Sequence, residues 1–227
     1  MPRADVGTRG LAVHGLACVR GGRELFSGLS FALPPGTALQ VRGSNGSGKS
    51  SLLRLLCGLL QPERGELQWD GVAVGSPVSH YGEAVTFMGH ASGLCGELTA
   101  RENLRFAADV AAPPAAADHV DAVLQDLGLA ACADRPVRRL SQGQRQRVAL
   151  ARVLLARRPL WLLDEPCAAL DAQGKALFEA SLARHLRDDG VAVIATHHAI
   201  GGPQAELSAI VMDTFTHAAG ADRDRRA

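Results

Sequence analysis

Residues 38–56 read ALQVRGSNGSGKSSLLRLL, and the order of their parts decides the fold. A short apolar run (ALQVR) leads into a glycine-rich turn, and the turn opens an apolar helix. From Gly43 to Ser50 the spacing is G-x-x-x-x-G-K-S, which marks a phosphate loop because a strand precedes it and a helix follows. The glycines let successive backbone N–H groups turn inward around an anion, and the helix N-terminus adds positive potential. Lys49 is then placed to reach β- and γ-phosphates, and Ser50 to offer its hydroxyl to Mg²⁺. The expected nucleotide-binding residues are Gly43, Ser44, Asn45, Gly46, Ser47, Gly48, Lys49, Ser50 and Ser51.

The same alternation extends outward from this stretch. Apolar runs recur as LAVHGLACV, LSFAL, TALQV, AVTFM, LWLLD, VAVIAT and AIVM, several of them continuous, as parallel strands covered on both faces must be. Helical patterns lie between them: KSSLLRLLCGLL, ARENLRFAADV, HVDAVLQDLGL, GQRQRVALARVLLA and AQGKALFEASLARHL. Thr99 and Glu102 form a T-x-x-E capping box for the second of these. The pattern predicts an α/β fold with a mixed sheet core and a helical insertion between roughly residues 98 and 136. AAPPAAA (residues 111–117) reads as a helix-to-helix link, and AAGADRDRRA as a frayed tail.

Composition excludes several classes. With 227 residues and 47% hydrophobic content the chain buries a full core. Its 24 basic and 23 acidic residues leave a net charge of +1, which argues against nucleic acid as the partner, and the arginines from Arg138 to Arg158 read as a solvated helix face. Five well-spaced cysteines without a CxxC pair suggest neither disulfides nor zinc, and point to a reducing cytoplasm. No signal peptide or membrane-spanning run is apparent, so a membrane role is expected to come through a partner.

Two further motifs carry chemistry. In LWLLDEP (residues 160–166) an apolar strand ends in two acids at the strand edge where ligands sit in open α/β sheets. Asp164 is the expected metal ligand, and Glu165 the base or polariser for an attacking water. In LSQGQRQRVALARVLL (residues 140–155) Ser141 and Gly143 stand at a helix start, a second candidate phosphate-binding turn.

The L-S-x-G-Q signature, together with the phosphate loop and LLDEP, makes this chain resemble the ATP-binding cassette family over nearly its whole length. The resemblance implies one nucleotide-binding domain over residues 1–217, a helical subdomain at roughly 98–158, and a flexible tail at 218–227. It implies ATP and Mg²⁺ as ligands and a head-to-tail dimer with a second copy of the chain. There Ser141, Gln142, Gly143 and Gln144 would clamp the γ-phosphate held by the other copy. Asp171 in AALD matches the D-loop, and His197 in ATHH the switch histidine that orients water with Glu165. A GTPase or kinase would leave LSQGQ without a task.

Two positions depart from the family pattern. The aromatic residue that stacks on adenine is replaced by Arg20, whose guanidinium plane can also lie on a purine. The glutamine expected after AVTFM is missing: FMGHASG places His90 and Ala91 there. That Gly-His step, followed by ELTARENL, resembles the ATP-binding subunits of cytochrome c maturation haem exporters. The narrower resemblance implies integral membrane subunits as partners, a periplasmic haem chaperone as an indirect one, and a peripheral place on the cytoplasmic face of a bacterial inner membrane. In it the loop of His90 and Ala91 would carry nucleotide state to the membrane partner. The remaining histidines show no axial-ligand motif and are expected at exposed positions. The alternatives are an ATPase of another transporter, or a soluble cassette protein that works without transport.

Overall fold

The computed structural model describes residues 9–111, 119–197 and 207–215. The AAPPAAA link beyond Ala111, His198, His217 and the tail lie outside the described residues. The elements in chain order are β1 (Leu11–Arg20), β2 (Arg23–Leu33), β3 (Ala38–Arg42), α1 (Lys49–Leu56), β4 (Arg64–Trp69), β5 (Val72–Ala73), α2 (Tyr81–Ala84) and β6 (Val85–Met88). There follow α3 (Ala100–Ala111), α4 (Val120–Asp126), α5 (Gln142–Ala156), β7 (Leu160–Asp164), α6 (Ala172–Arg187), β8 (Val191–Ala195) and β9 (Leu207–Val211).

The mixed strand directions expected from the sequence resolve into two sheets. One is antiparallel, in the order β2-β1-β4-β5; the other, in the order β6-β7-β8-β3-β9, has every neighbouring pair parallel. The continuous apolar runs follow from burial on both faces. On β7, Leu160 and Leu162 enter one core while Trp161 and Leu163 enter the other, and β8 divides Val191, Val193 and Ala195 from Ala192 and Ile194 in the same way. A strand that serves two cores needs an apolar residue at every position. The core of Trp161 and Leu163 packs the parallel sheet against α3 to α6, and the core of Leu160 and Leu162 packs it against α1 and the antiparallel sheet.

α1 is shorter than its leucine pattern predicts. Gly58 adopts φ 79°, and the N–H groups of Gly58 and Leu59 turn back to the carbonyls of Leu55 and Arg54 (3.0 and 2.9 Å). This glycine-dependent closure stops the helix although Leu59 and Leu60 continue the apolar rhythm. β4, unmarked in the sequence reading, pairs with β1 from Leu11↔Trp69 to Ala17↔Arg64.

The helical insertion leaves and returns at one place. Val137 N–H donates to Leu98 O (2.9 Å) and Arg138 N–H to Gly96 O (3.0 Å). Five of the six residues of TARENL anchor this place. Thr99 caps α3, with its Oγ1 accepting from Glu102 N–H (3.1 Å) while Glu102 Oε2 accepts from Thr99 N–H (2.8 Å). Buried Asn103 clasps the preceding loop by donating to Cys95, Leu98 and Thr99 carbonyls and accepting from Cys95 N–H. Arg101 joins Asp134 and Asp121, and Leu104 is fully buried. No helix among the described residues is long and apolar enough to cross a membrane.

Candidate functional site

All strands of the second sheet run in one direction, so residues that follow them emerge at a single edge. In spatial order these are His90 after β6, Asp164 and Glu165 at the end of β7, His197 after β8, the phosphate loop after β3, and Asp213 after β9. Positions up to 170 residues apart in the chain are thereby gathered by topology alone. β3 and β8 are further locked by Thr196 N–H, which donates to Val41 O (3.2 Å).

The phosphate loop is tightly bound by its surroundings. Gly48, at φ 98°, is needed because a Cβ there would stand 2.9 Å from the Phe26 ring of β2. Lys49 is buried, and its ammonium donates to the carbonyls of Gly43 and Ser44, both at 2.8 Å. Asn45, Gly46 and Ser47 form the turn between, with the Ser47 hydroxyl buried and without a hydrogen-bond partner among the described residues. Ser50 and Ser51 lie in the first turn of α1. The sequence reading missed Asp213, in the 3-10 turn Met212–Phe215, whose carboxylate accepts from both Ser44 N–H (3.0 Å) and Ser44 Oγ–H (2.5 Å). Those hydrogen bonds hold the Asp213 carboxyl below the usual carboxylate range, with a smaller contribution from the Lys49 charge. Its signal was an acid following the strand that pairs with β3.

Asp164 is only 6% exposed at the strand end, and among the described residues it has no ion-pair partner. A hydroxyl at Ser50 and a carboxylate at Asp164 are hard oxygen donors of the kind Mg²⁺ takes alongside substrate phosphates. The residues present therefore fit the ion.

Glu165 adopts φ 51°, and its N–H donates to Ala195 O (2.8 Å) on β8. Its Oε1 is buried without a hydrogen bond and lies 3.4 Å from Nε2 of His197, so the two residues assigned to water activation do meet. Glu165 is mostly buried and His197 about half exposed, leaving an approach from solvent.

The signature turn stands apart from this cluster. Ser141 and Gln144 make a reciprocal capping box at the start of α5: Gln144 N–H donates to Ser141 Oγ (3.2 Å), and Ser141 N–H to Gln144 Oε1 (2.9 Å). Ser141 and Gln142 are exposed, and among the described residues no hydrogen bond or ion pair joins the turn 141–144 to the phosphate loop. Gly143 instead packs on the stretch after Glu165, where Asp171 caps α6 through Gly174 N–H (2.8 Å) and pairs with Arg147 (3.4 Å).

His90 and Ala91 are exposed and share a cavity of about 460 Å³ with Ala107, Ala149, Arg152 and Asp164. Arg152 of α5, expected on a solvated helix face, is instead half-buried and donates to the carbonyls of Ser92 (2.8 Å) and Gly93 (3.0 Å), and so ties this loop to the signature helix. Arg20 is exposed at the tip of the β1–β2 hairpin, and the β2 residues packed against the phosphate loop are Leu25 and Phe26. His185 departs from the expected exposed position: its ring stacks on Trp161 (3.8 Å between centroids, 9° between planes), and burial holds its pKa below the usual histidine value.

The ABC transporter family model matches residues 26–168. The chain is 51% identical over 192 residues to the cytochrome c biogenesis ATP-binding export protein CcmA of Cupriavidus necator, covering 85% of each chain. It is 46% identical over 224 residues to the protein of the same name in Bordetella bronchiseptica, covering 98% of this chain and 99% of the other. Among solved structures it resembles a putative ABC transporter ATP-binding protein from Pyrococcus furiosus, with TM-score 0.77 and 19% identity over 91% of this chain and 99% of that one; this likeness concerns the fold.

Proposed function

The chain belongs to the ABC transporter ATPase family, among the cytochrome c biogenesis ATP-binding export proteins, and from that premise we propose that it drives the haem-handling complex of c-type cytochrome maturation. In this reading residues 1–217 form one nucleotide-binding domain with its helical subdomain at roughly 98–158. It docks on integral membrane subunits at the cytoplasmic face of a bacterial inner membrane, and its cycle releases a haem-loaded periplasmic chaperone. The observation that carries the reading is the convergence of phosphate loop, Asp164, Glu165 and His197 on one sheet edge while the signature turn faces outward.

In the proposed mechanism the backbone N–H groups of residues 46–51 and the Lys49 ammonium receive the phosphates of ATP. Lys49 leaves the carbonyls of Gly43 and Ser44 to do so. Ser50 and Asp164 would hold Mg²⁺, which would supply positive charge against the phosphates. Glu165 accepts a proton from the attacking water, and His197, 3.4 Å away, holds that carboxylate and the γ-phosphate in register. Ser141, Gln142, Gly143 and Gln144 grip the γ-phosphate bound by a second copy, so that ATP closes the dimer and hydrolysis reopens it.

The cavity beside His90 and Ala91 favours docking of a membrane subunit there. Phe106 and Val110 stand 66% and 71% exposed one turn apart on α3, the helix that lines that cavity through Ala107, and offer a partner an apolar surface on the same helix. The test is isolation of a tagged chain from detergent-solubilised bacterial membranes. Integral membrane subunits should co-purify, and replacement of the gene by Glu165→Gln should cut ATPase activity to a small residual rate and abolish cytochrome c maturation while ATP binding persists. A chain that purifies with soluble partners alone would favour a cassette protein without transport.

A further inference from the structure

The backbone of Glu165 is held from outside its own loop. A non-glycine residue at φ 51° lies in the left-handed region, at a cost of about 1–2 kcal/mol. Such a conformation persists only where neighbours impose it. Gln146, in the second turn of α5, supplies that constraint. Its side-chain amide nitrogen donates to the carbonyls of Glu165 (3.0 Å) and Pro166 (3.1 Å), so both amide protons engage consecutive peptide groups. The Glu165 carbonyl accepts a further bond from Ala168 N–H (3.0 Å), which closes the turn on the other side.

The same face of α5 continues the grip. Gly143 and Arg147 flank Gln146 at helical spacing and meet Ala169 and Asp171. The loop that carries the carboxylate is thus seated along one stripe of the helix that begins with the signature turn.

We infer that Gln146 is a positioning residue for hydrolysis: through the carbonyls of Glu165 and Pro166 it fixes the Glu165 carboxylate and makes that placement follow the attitude of α5. This rests on the reading of Glu165 as the base. The task requires two N–H donors on one atom, which glutamine offers and glutamate or methionine of similar size does not.

The test compares Gln146→Glu and Gln146→Met with the parent in the assembled membrane complex, measuring kcat and KM for ATP, with nucleotide binding and thermal melting as controls for folding. Loss of placement should lower kcat at least about tenfold, since an ångström of misplacement costs about a hundredfold. KM should stay within about twofold, because the nucleotide contacts are untouched. Introduced into Glu165→Gln, neither change should lower the residual rate further. An unchanged kcat in both variants, or a loss that persists in full on top of Glu165→Gln, would overturn the role of Gln146. A Glu165→Gln protein that hydrolyses ATP at the parent rate would instead overturn the reading of Glu165 beneath it.

Discussion

Gly143 lies so close to Ala169 that a Cβ on the glycine would stand 2.8 Å from the Ala169 carbonyl oxygen. The glycine of the signature turn is therefore required within a single chain, before any second copy is considered. Gly143→Ala should force the start of α5 away from the 165–171 loop and destabilise the isolated chain by about 1–3 kcal/mol, as overpacking does. Urea unfolding of the monomer reads this directly, and an unchanged midpoint would show that the loop yields at no cost.

Arg152 and His90 give a second prediction. Arg152→Met removes both hydrogen bonds to the loop at Ser92 and Gly93, while His90→Ala leaves those bonds in place. Each should reduce the stimulation of ATPase activity on assembly with membrane subunits by about fivefold or more, the lower range of coupling energies between sites. Normal stimulation and normal cytochrome c maturation in His90→Ala would remove that histidine from coupling.

Acid should weaken the helical insertion. Hydrogen bonds from Arg101 lower the Asp134 carboxyl, and those from Thr99 lower Glu102. A carboxylate whose folded value lies below its unfolded one stabilises the fold above the unfolded pKa, and that contribution fades as pH falls through the folded value. Stability should therefore drop below about pH 4, and Arg101→Ala should make the drop shallower. Denaturant titrations at a series of pH values, with parent and variant side by side, measure both slopes.

Thiol chemistry separates four of the five cysteines. Cys95 is exposed, whereas burial raises the pKa of Cys18 and Cys57 and pushes Cys167 up to about 11. Since the thiolate is the reactive form, alkylation of the native protein near pH 8 should modify Cys95 first and Cys167 hardly at all. Timed labelling with peptide mass spectrometry gives the order, and early modification of Cys167 would contradict its packing.

The sequence was most legible where burial acts on every residue. β3, β7 and β8 declare themselves because two cores share them, and the phosphate loop because its spacing is dictated by phosphate geometry. β4 was silent: RGELQW is half exposed, and its pairing with β1 depends on residues fifty positions earlier. α1 was read too long because its leucines continue past Gly58, and the left-handed glycine closes it first. At the site, Lys49, Asp164, Glu165 and His197 could be named from motifs. Asp213, Gln146 and Arg152 could not, since each acts through a backbone group brought near only by strand order or helix packing.

α5 meets the 165–171 loop near its first turn and the His90 loop near its last. From Ser141 to Arg152 the helix rises about 16 Å, and a hydrogen-bonded helix of this length does not bend appreciably. Between these two ends Val148, Ala149 and Leu150 are buried in the core that also holds Trp161 and Leu163. On the proposed function, a tilt of a few degrees about that buried stretch, as the signature end takes up a phosphate, would move Arg152, roughly 5 Å away along the axis, by a few tenths of an ångström. Under that reading the helix would connect nucleotide and membrane partner in both directions, with its longer arm on the nucleotide side.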